Sequence, residues 1–356
     1  MDIKRLLKEL VERNGSDLFC RAGGFPRMRV DGQVIALGEQ ILSLADIEDL
    51  TQQLTTPQQR ERFKESLDID FAIFLEELGR RFRVSIFQQR NSPSIVIRNI
   101  RSDIQTFEEL HLPAEVLRNL AMETRGLVLL TGSMGSGKST TLASMIEYIN
   151  ANCHKHILTV EEPIEFTFRD KKSLINQREL GIDVFSYSVA LRAFTLQSPD
   201  VIYIANIRDL DTMSAALMAA ETGVLVLSTL HSINASQTIE RIVNFFPLHQ
   251  QSQIRVQLSL LLKGVISLRL VSMPQGGRIP ACEIMLLTPT ISRLIREGKI
   301  WEIPQFIEDG SIYGMQSFNQ ALIKLIEEGK LTEDEAVKFS DNAEEFRLAL
   351  RGFKKK

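Results

Sequence analysis

The stretch Gly126-Leu-Val-Leu-Leu-Thr131-Gly132-Ser133-Met134-Gly135-Ser136-Gly137-Lys138-Ser139-Thr140 decides the fold class of this chain. Its first six residues form an apolar run of buried-strand length, and beyond Thr140 the positions Leu142, Met145, Ile146 and Ile149 recur at helical spacing. Between them stands the pattern G-x-x-x-x-G-K-S, so strand, loop and helix follow in the order that a phosphate cradle needs. In such a cradle the loop amides and the helix N-terminus, from Gly132 to Thr140, surround phosphate oxygens. Lys138 neutralises the β and γ phosphates, and the Ser139 hydroxyl ligates Mg2+. The stretch implies a site for a nucleoside triphosphate with Mg2+.

Outward from this loop, the 356 residues are enough for two or three domains, and 44% hydrophobic with 24% charged residues is the balance of a globular chain with a sizeable core. No run reaches the roughly 20 apolar residues that span a bilayer, and the opening helix pattern alternates charge with apolar positions, so a cytoplasmic protein is expected. Cys20, Cys153 and Cys282 are odd in number and far apart, which excludes a disulfide framework and a paired zinc site. The formal net charge of −3 gives no general reason to expect nucleic acid. Lys354-Lys355-Lys356 is either a solvated tail or a contact for an acidic surface.

The first hundred residues read as an α/β module. An opening helix, strands at Leu18–Cys20 and around Arg27–Ile35, and a helix at Leu44–Leu54 precede β-rich runs at Ile69–Phe74, Arg81–Phe87 and Ser94–Arg98. Gly79 and the Asn91-Ser-Pro93 cluster supply turns. Periodicity is lost between Ile100 and Leu110, and Pro113 then opens a helix at Ala114. From there strands alternate with helices, which argues for a largely parallel sheet covered on both faces. Leu158–Val160, Val201–Ala205 and Val224–Leu230 are its further core strands, and after Ile284 the chain becomes mostly helical, most clearly over Gln316–Lys330.

Chemistry in such a sheet is expected at the carboxyl ends of the parallel strands. Three clusters qualify. Thr159-Val-Glu161-Glu162-Pro-Ile-Glu165 places carboxylates just past a strand, one to orient an attacking water and another, Glu162, to reach Mg2+; the alternative is a solvated acidic turn. Asp200-Val-Ile-Tyr-Ile-Ala-Asn206-Ile-Arg208-Asp209 is an apolar strand with polar residues at its end, as in a Walker B strand. Its Asn206 can hydrogen-bond a water but cannot take a proton or supply negative charge. Ser228-Thr-Leu-His231 puts a histidine after a third strand, either as a γ-phosphate or intersubunit sensor or as a structural residue.

Taken in order, these motifs resemble the secretion ATPase superfamily, and within it the type IV pilus retraction ATPases of the PilT/PilU family. The likeness includes Gly15-Ser-Asp-Leu18, Pro26-Arg-Met-Arg-Val-Asp-Gly32, Arg81-Phe-Arg83-Val, the phosphate loop, Glu161-Glu-Pro-Ile-Glu165, Pro199-Asp-Val-Ile202, Ile207-Arg-Asp209, Thr229-Leu-His231 and Glu240-Arg-Ile-Val-Asn-Phe-Phe-Pro247. Phe245-Phe-Pro247, Leu258–Lys263 and Asp341–Arg347 look closer to PilU, and Ser292 stands where a PilT-like arginine motif needs arginine. The resemblance implies an N-terminal PAS-like α/β domain (1–103), a linker (104–112), a RecA-like P-loop ATPase core (113–285) and a C-terminal helical region (286–356). It implies a ring hexamer, homomeric or mixed with a PilT-type paralogue, that powers pilus retraction and twitching at the cytoplasmic face of the inner membrane, against a membrane platform protein. Arg81, Arg83 and Arg98 would reach nucleotide across a subunit boundary, the alternative being an exposed sheet face. The extra N-terminal domains and four-cysteine zinc insert of related assembly ATPases are not expected.

Against the family pattern, Ala205-Asn206 replaces Gly-Glu, Leu196 replaces arginine and Val224 replaces histidine, while Lys138, Ser139, Glu161 and His231 are kept. Each change removes charge or proton-transfer capacity. Besides a hydrolysing motor, the pattern therefore implies a second reading, a nucleotide-binding paralogue with weak hydrolysis. A nucleic-acid motor is disfavoured by the acidic balance and the lack of an interleaved basic and aromatic track.

Overall fold

Alternation along the buried strands explains how the larger sheet is covered on both sides. In the computed structural model, which describes residues 1–30, 32–100, 103–194 and 196–351, the chain divides into two units. One comprises Met1–Asp103 with Glu165–Thr167; the other holds the remaining described residues from Ile104 onward. The lysine tail expected to be solvated lies outside the described residues.

The first unit runs α1 (Ile3–Glu12), β1 (Asp17–Arg21), β2 (Arg27–Val30), β3 (Gln33–Ala36), α2 (Leu44–Leu54), α3 (Pro57–Ser66), β4 (Asp68–Leu75), β5 (Arg80–Gln89) and β6 (Ser92–Ile100). Its strands form one antiparallel sheet in the order β3-β2-β1-β6-β5-β4. Phe82, Val84, Ile86, Ile95 and Ile97 turn their side chains into a core shared with Leu7, Leu10, Ile47 and Leu50 of α1 and α2. Helix α3 has no such apolar stripe, and the sequence reading passes over it. Its start is set by Thr56, whose hydroxyl accepts from the Gln59 amide in a capping box, with Pro57 in the first turn. The β5–β6 hairpin turns at Arg90 and Asn91, both in the left-handed region, and Pro93 lies within β6, paired with Gln88. The turn thus sits earlier than the Asn91–Pro93 cluster suggests.

The second unit runs α4 (Ala114–Ala121), β7 (Gly126–Thr131), α5 (Lys138–Asn152), β8 (His156–Glu161), β9 (Leu174–Glu179), α6 (Tyr187–Phe194), β10 (Val201–Ile204), α7 (Leu210–Glu221), β11 (Leu225–Leu230), α8 (Ala235–Asn244), α9 (Leu248–Leu261), β12 (Leu262–Ser272), β13 (Arg278–Leu286), α10 (Pro289–Glu297), α11 (Ile303–Glu308), α12 (Phe318–Glu327), α13 (Glu333–Phe339) and α14 (Ala343–Leu350). The sheet order is β13-β12-β7-β11-β10-β8-β9, parallel throughout except for β13. Leu127 and Leu129 face one core with α6 to α10, while Val128 and Leu130 face the other with α4 and α5. A third cluster packs Val271, Ile279 and Ala281 at the far end of the β12–β13 hairpin against Phe318, Leu322 and Phe346.

The hairpin is absent from the sequence reading, because the helical Leu258–Leu261 segment passes directly into the strand Leu262–Ser272 without a turn signal. Strand β9, at the other edge, alternates too weakly in polarity to stand out. Among the described residues no helix is long and apolar enough to cross a membrane.

Phe82→Ala tests the first unit's core. The ring is fully buried, so its loss is expected to cost about 3–5 kcal/mol, read as a lower urea midpoint for that unit. An unchanged midpoint contradicts the packing.

Candidate nucleotide site

Parallel pairing brings the carboxyl ends of β7, β8, β10 and β11 to one edge of the sheet. The phosphate loop leaves β7 there. Gly132 lies at φ +143°, and a Cβ on it would stand 2.5 Å from the Leu268 carbonyl and 2.5 Å from Ser136 Oγ, so only glycine fits. Gly137, at φ +96°, makes the left-handed turn into α5. Ser133, Met134 and Gly135 form the exposed tip, Ser136 is buried, and Ser139 and Thr140 are half-buried in the first helical turn. The amides of that turn have no intrahelical acceptors and add to the positive end of the helix dipole. Lys138 is buried, its Nζ donating to the carbonyls of Gly132 at 2.8 Å and Ser133 at 2.7 Å. The ammonium is thereby held against the loop.

At the end of β8, Glu161 is buried and its Oε1 accepts from Thr159 Oγ1 at 2.7 Å and Gln177 Nε2 at 3.0 Å. Those bonds fix the carboxylate. Glu162 is more open and pairs with Arg208 at 3.1 Å, bridging the ends of β8 and β10. Asn206 is buried at the same edge, and its Oδ1 has no hydrogen-bonding partner. The segment that carries it is pinned by Ser228 Oγ, donating to the Ile204 carbonyl at 2.7 Å, and by Thr229 Oγ1 on the Ala205 carbonyl. Asp209 serves as the N-cap of α7, accepting from the Thr212 amide.

His231 follows β11, with its carbonyl accepting from Arg241 at 2.9 Å. Partial burial holds its imidazole below the ordinary histidine value, and the positive charges of Lys138, Arg208 and Arg241 push the same way. The neutral ring is favoured. The loop lysine, the Glu162–Arg208 pair and the histidine therefore share one electrostatic neighbourhood, as their positions after successive strands suggest. Sequence reading misses Thr159 and Gln177, whose types carry no signal of their own. It also misses Tyr187, whose hydroxyl is buried without a hydrogen-bonding partner and is pushed upward by burial and then by Glu162.

Arg81, Arg83 and Arg98 belong to the first unit. Arg83 and Arg98 stand opposite each other across β5 and β6, on the sheet face away from Phe82 and Val84, and Arg81 shares that face two residues along. Arg98 pairs with the buried Asp17 at 2.9 Å and Arg83 with Asp70 at 3.5 Å. Among the described residues no cluster of three or more acidic, histidine or cysteine side chains forms a ready metal cage. The donors at this edge, a hydroxyl and carboxylates, suit an ion that brings most of its ligands with a nucleotide.

A family model described as "Type II/IV secretion system protein" matches residues 1–278. This chain belongs to that family. Among its relatives, the type IV pilus ATPase PilU of Pseudomonas aeruginosa is 42% identical, over 99% of this chain and 92% of that protein. The type IV pilus retraction ATPase PilT of the same organism is 41% identical, over 94% of this chain and 97% of its own length. A crystal structure of the retraction motor PilT with bound ADP superposes with a TM-score of 0.90 at 41% identity, covering 97% of this chain and 98% of that one. The family likeness drawn from the motifs holds, within the PilT/PilU group of secretion system proteins. The fold is accordingly an N-terminal α/β domain and a RecA-like core with C-terminal helices.

Gly132→Ala is expected to weaken binding of a fluorescent ATP analogue at least about tenfold, because the new methyl meets the Leu268 backbone carbonyl as well as Ser136 Oγ, and the backbone cannot turn aside as a side chain can. Unaltered affinity would show that the loop relaxes without cost.

Proposed function

We propose that this chain is a PilT/PilU-like ATPase subunit that binds ATP with Mg2+ and uses its hydrolysis to power type IV pilus retraction. The reading is carried by the meeting of Lys138, Glu161, the Glu162–Arg208 pair and His231 around one phosphate loop. It is supported by 42% identity to PilU over 99% of the chain. In this assignment the loop amides from Gly132 to Thr140 hold the phosphates, Lys138 offsets the charge of the β and γ groups, and Ser139 supplies a hydroxyl to Mg2+. Bound with nucleotide, Mg2+ supplies Lewis-acid polarisation of phosphoryl oxygens. Glu161, fixed by Thr159 and Gln177, orients the attacking water, and the neutral His231 senses the γ-phosphate. Glu162, with Arg208 beside it, would help to hold the ion through its bound water.

The subunit is proposed to work in a ring of six, of one chain or mixed with a PilT-type paralogue, at the cytoplasmic face of the inner membrane and against a pilus platform protein. Arg81, Arg83 and Arg98 are assigned to the nucleotide of a neighbouring subunit, a role consistent with their shared sheet face. A second reading, nucleotide binding with weak hydrolysis, is favoured by Asn206. Its amide occupies the buried end of β10 with an unpartnered oxygen, so that position supplies no negative charge or proton acceptor.

Phosphate release by the purified protein separates the two readings. A motor is expected to turn over on the order of 1 s⁻¹ or faster, whereas the weak enzyme falls well below that and gains activity in Asn206→Glu. In either case Lys138→Ala is expected to abolish nucleotide-dependent behaviour and, in cells, to leave a deletion strain unable to retract pili. Full complementation by Lys138→Ala would overturn the nucleotide assignment.

A further inference from the structure

Glu283, on β13, is a buried carboxyl that none of the roles above employs. Two donors converge on its Oε1: the Ala235 backbone amide at 2.7 Å and Ser267 Oγ at 3.2 Å. Ser267 in turn accepts from Thr131 Oγ1 at 3.0 Å. Thr131 is the last residue of β7, directly before Gly132, while Ala235 opens α8 four residues after His231. The chain of hydrogen bonds thus runs from the root of the phosphate loop, through β12, to the start of the helix behind the histidine. A second contact reinforces its loop end, since the Leu268 carbonyl, next to Ser267, is the atom packed against Gly132.

From both ends the donors point toward Glu283. Thr131 donates to Ser267, Ser267 donates to Glu283, and a first-turn amide of α8 donates to the same oxygen. An amide there has no intrahelical acceptor, and the helix dipole favours a negative charge at that point. We propose that Glu283 is a positioning residue for the nucleotide, a buried carboxyl that holds the root of the phosphate loop and the histidine-bearing segment in one register. The inference rests on the nucleotide reading above, and it assigns Glu283 no contact with substrate.

The ionised form is the better acceptor for both donors, so the tie is firmest when Glu283 is charged. Burial opposes that charge and pushes the carboxyl from 4.5 up to about 7, against the Ala235 and Ser267 hydrogen bonds that stabilise the anion. Of the charged groups that act on it, Asp341 raises the value and Arg269, itself paired with Asp341 at 2.5 Å, lowers it. The group accordingly changes charge near neutral pH. Because its folded value lies above the unfolded one, the folded state binds the extra proton between about 4.5 and 7, and stability falls as pH rises through that window.

The test uses the full chain, a fluorescent ATP analogue with Mg2+, and two variants, Glu283→Gln and Ser267→Ala, from pH 6 to pH 8. Both are expected to bind more weakly than wild type, with the ratio of variant to wild-type dissociation constants rising about fivefold toward pH 8. Taking ratios cancels the titration of the nucleotide itself. Thermal unfolding from pH 5 to pH 7 distinguishes the variants: the loss of stability that Glu283 contributes with rising pH should vanish in Glu283→Gln but persist in Ser267→Ala, where the carboxyl still titrates. Affinity curves that run parallel to wild type in either variant overturn the proposal. If one variant does not fold, Thr131→Val cuts the chain at its other end and is read by the same ratio. Wild-type protein that binds no nucleotide, or binds as well with Lys138→Ala, overturns the functional reading and takes this one with it.

Discussion

Parallel pairing of β7 with β11 on one side and β12 on the other is the constraint on which the rest of the second unit depends. It sends successive strands out at one edge, so the phosphate loop, the acidic pair, Asn206 and His231 meet although they are spread over a hundred residues of sequence. It also brings the β12 backbone close enough to the loop to exclude any side chain at Gly132. Helix N-terminal amides, which nothing within a helix can satisfy, are then dealt with locally. Asp209 caps α7, Asn234 caps α8, and Glu283 takes the Ala235 amide. The start of α5 has no side-chain cap and faces the cradle.

Charge at this edge is arranged so that opposites meet outside the loop. Arg208 engages Glu162, while the Lys138 ammonium rests on carbonyl oxygens. His231 experiences three positive neighbours and no compensating acid among the groups that dominate its field, which keeps the ring neutral. Asn206 fits this pattern as a buried, uncharged acceptor. A carboxylate at its place would add a negative charge beside Glu161 and Glu162, and the amide removes that repulsion together with the proton-accepting capacity.

Much of this was legible in the residues. The phosphate loop announced itself because glycine spacing, lysine and the flanking periodicities agree, and the strand ends bearing Glu161, Asn206 and His231 follow from apolar runs that stop at polar residues. What the sequence hid has physical reasons. Helix α9 passes into β12 within the apolar run Leu260–Leu262, so period alone cannot mark the boundary. Helix α3 buries no residue and is specified by its cap. Gln177, Ser267 and Glu283 act through tertiary hydrogen bonds that leave their own strand, which no local pattern encodes, while Thr159 reaches Glu161 as its same-face neighbour on β8. Of the three arginines, Arg98 becomes a neighbour of Arg83 only through the β5–β6 register.

Strand β7 serves two cores at once, with Leu127 and Leu129 on one face and Val128 and Leu130 on the other. A strand so gripped cannot slide by one residue without exchanging its faces, and it cannot tilt toward one helical layer without opening a gap at the other. Stress arriving through α7 to α9 is thus carried across the sheet to α4 and α5 instead of being absorbed within it. The root of the phosphate loop sits at the end of that strand, so its position is set by both helical layers at once.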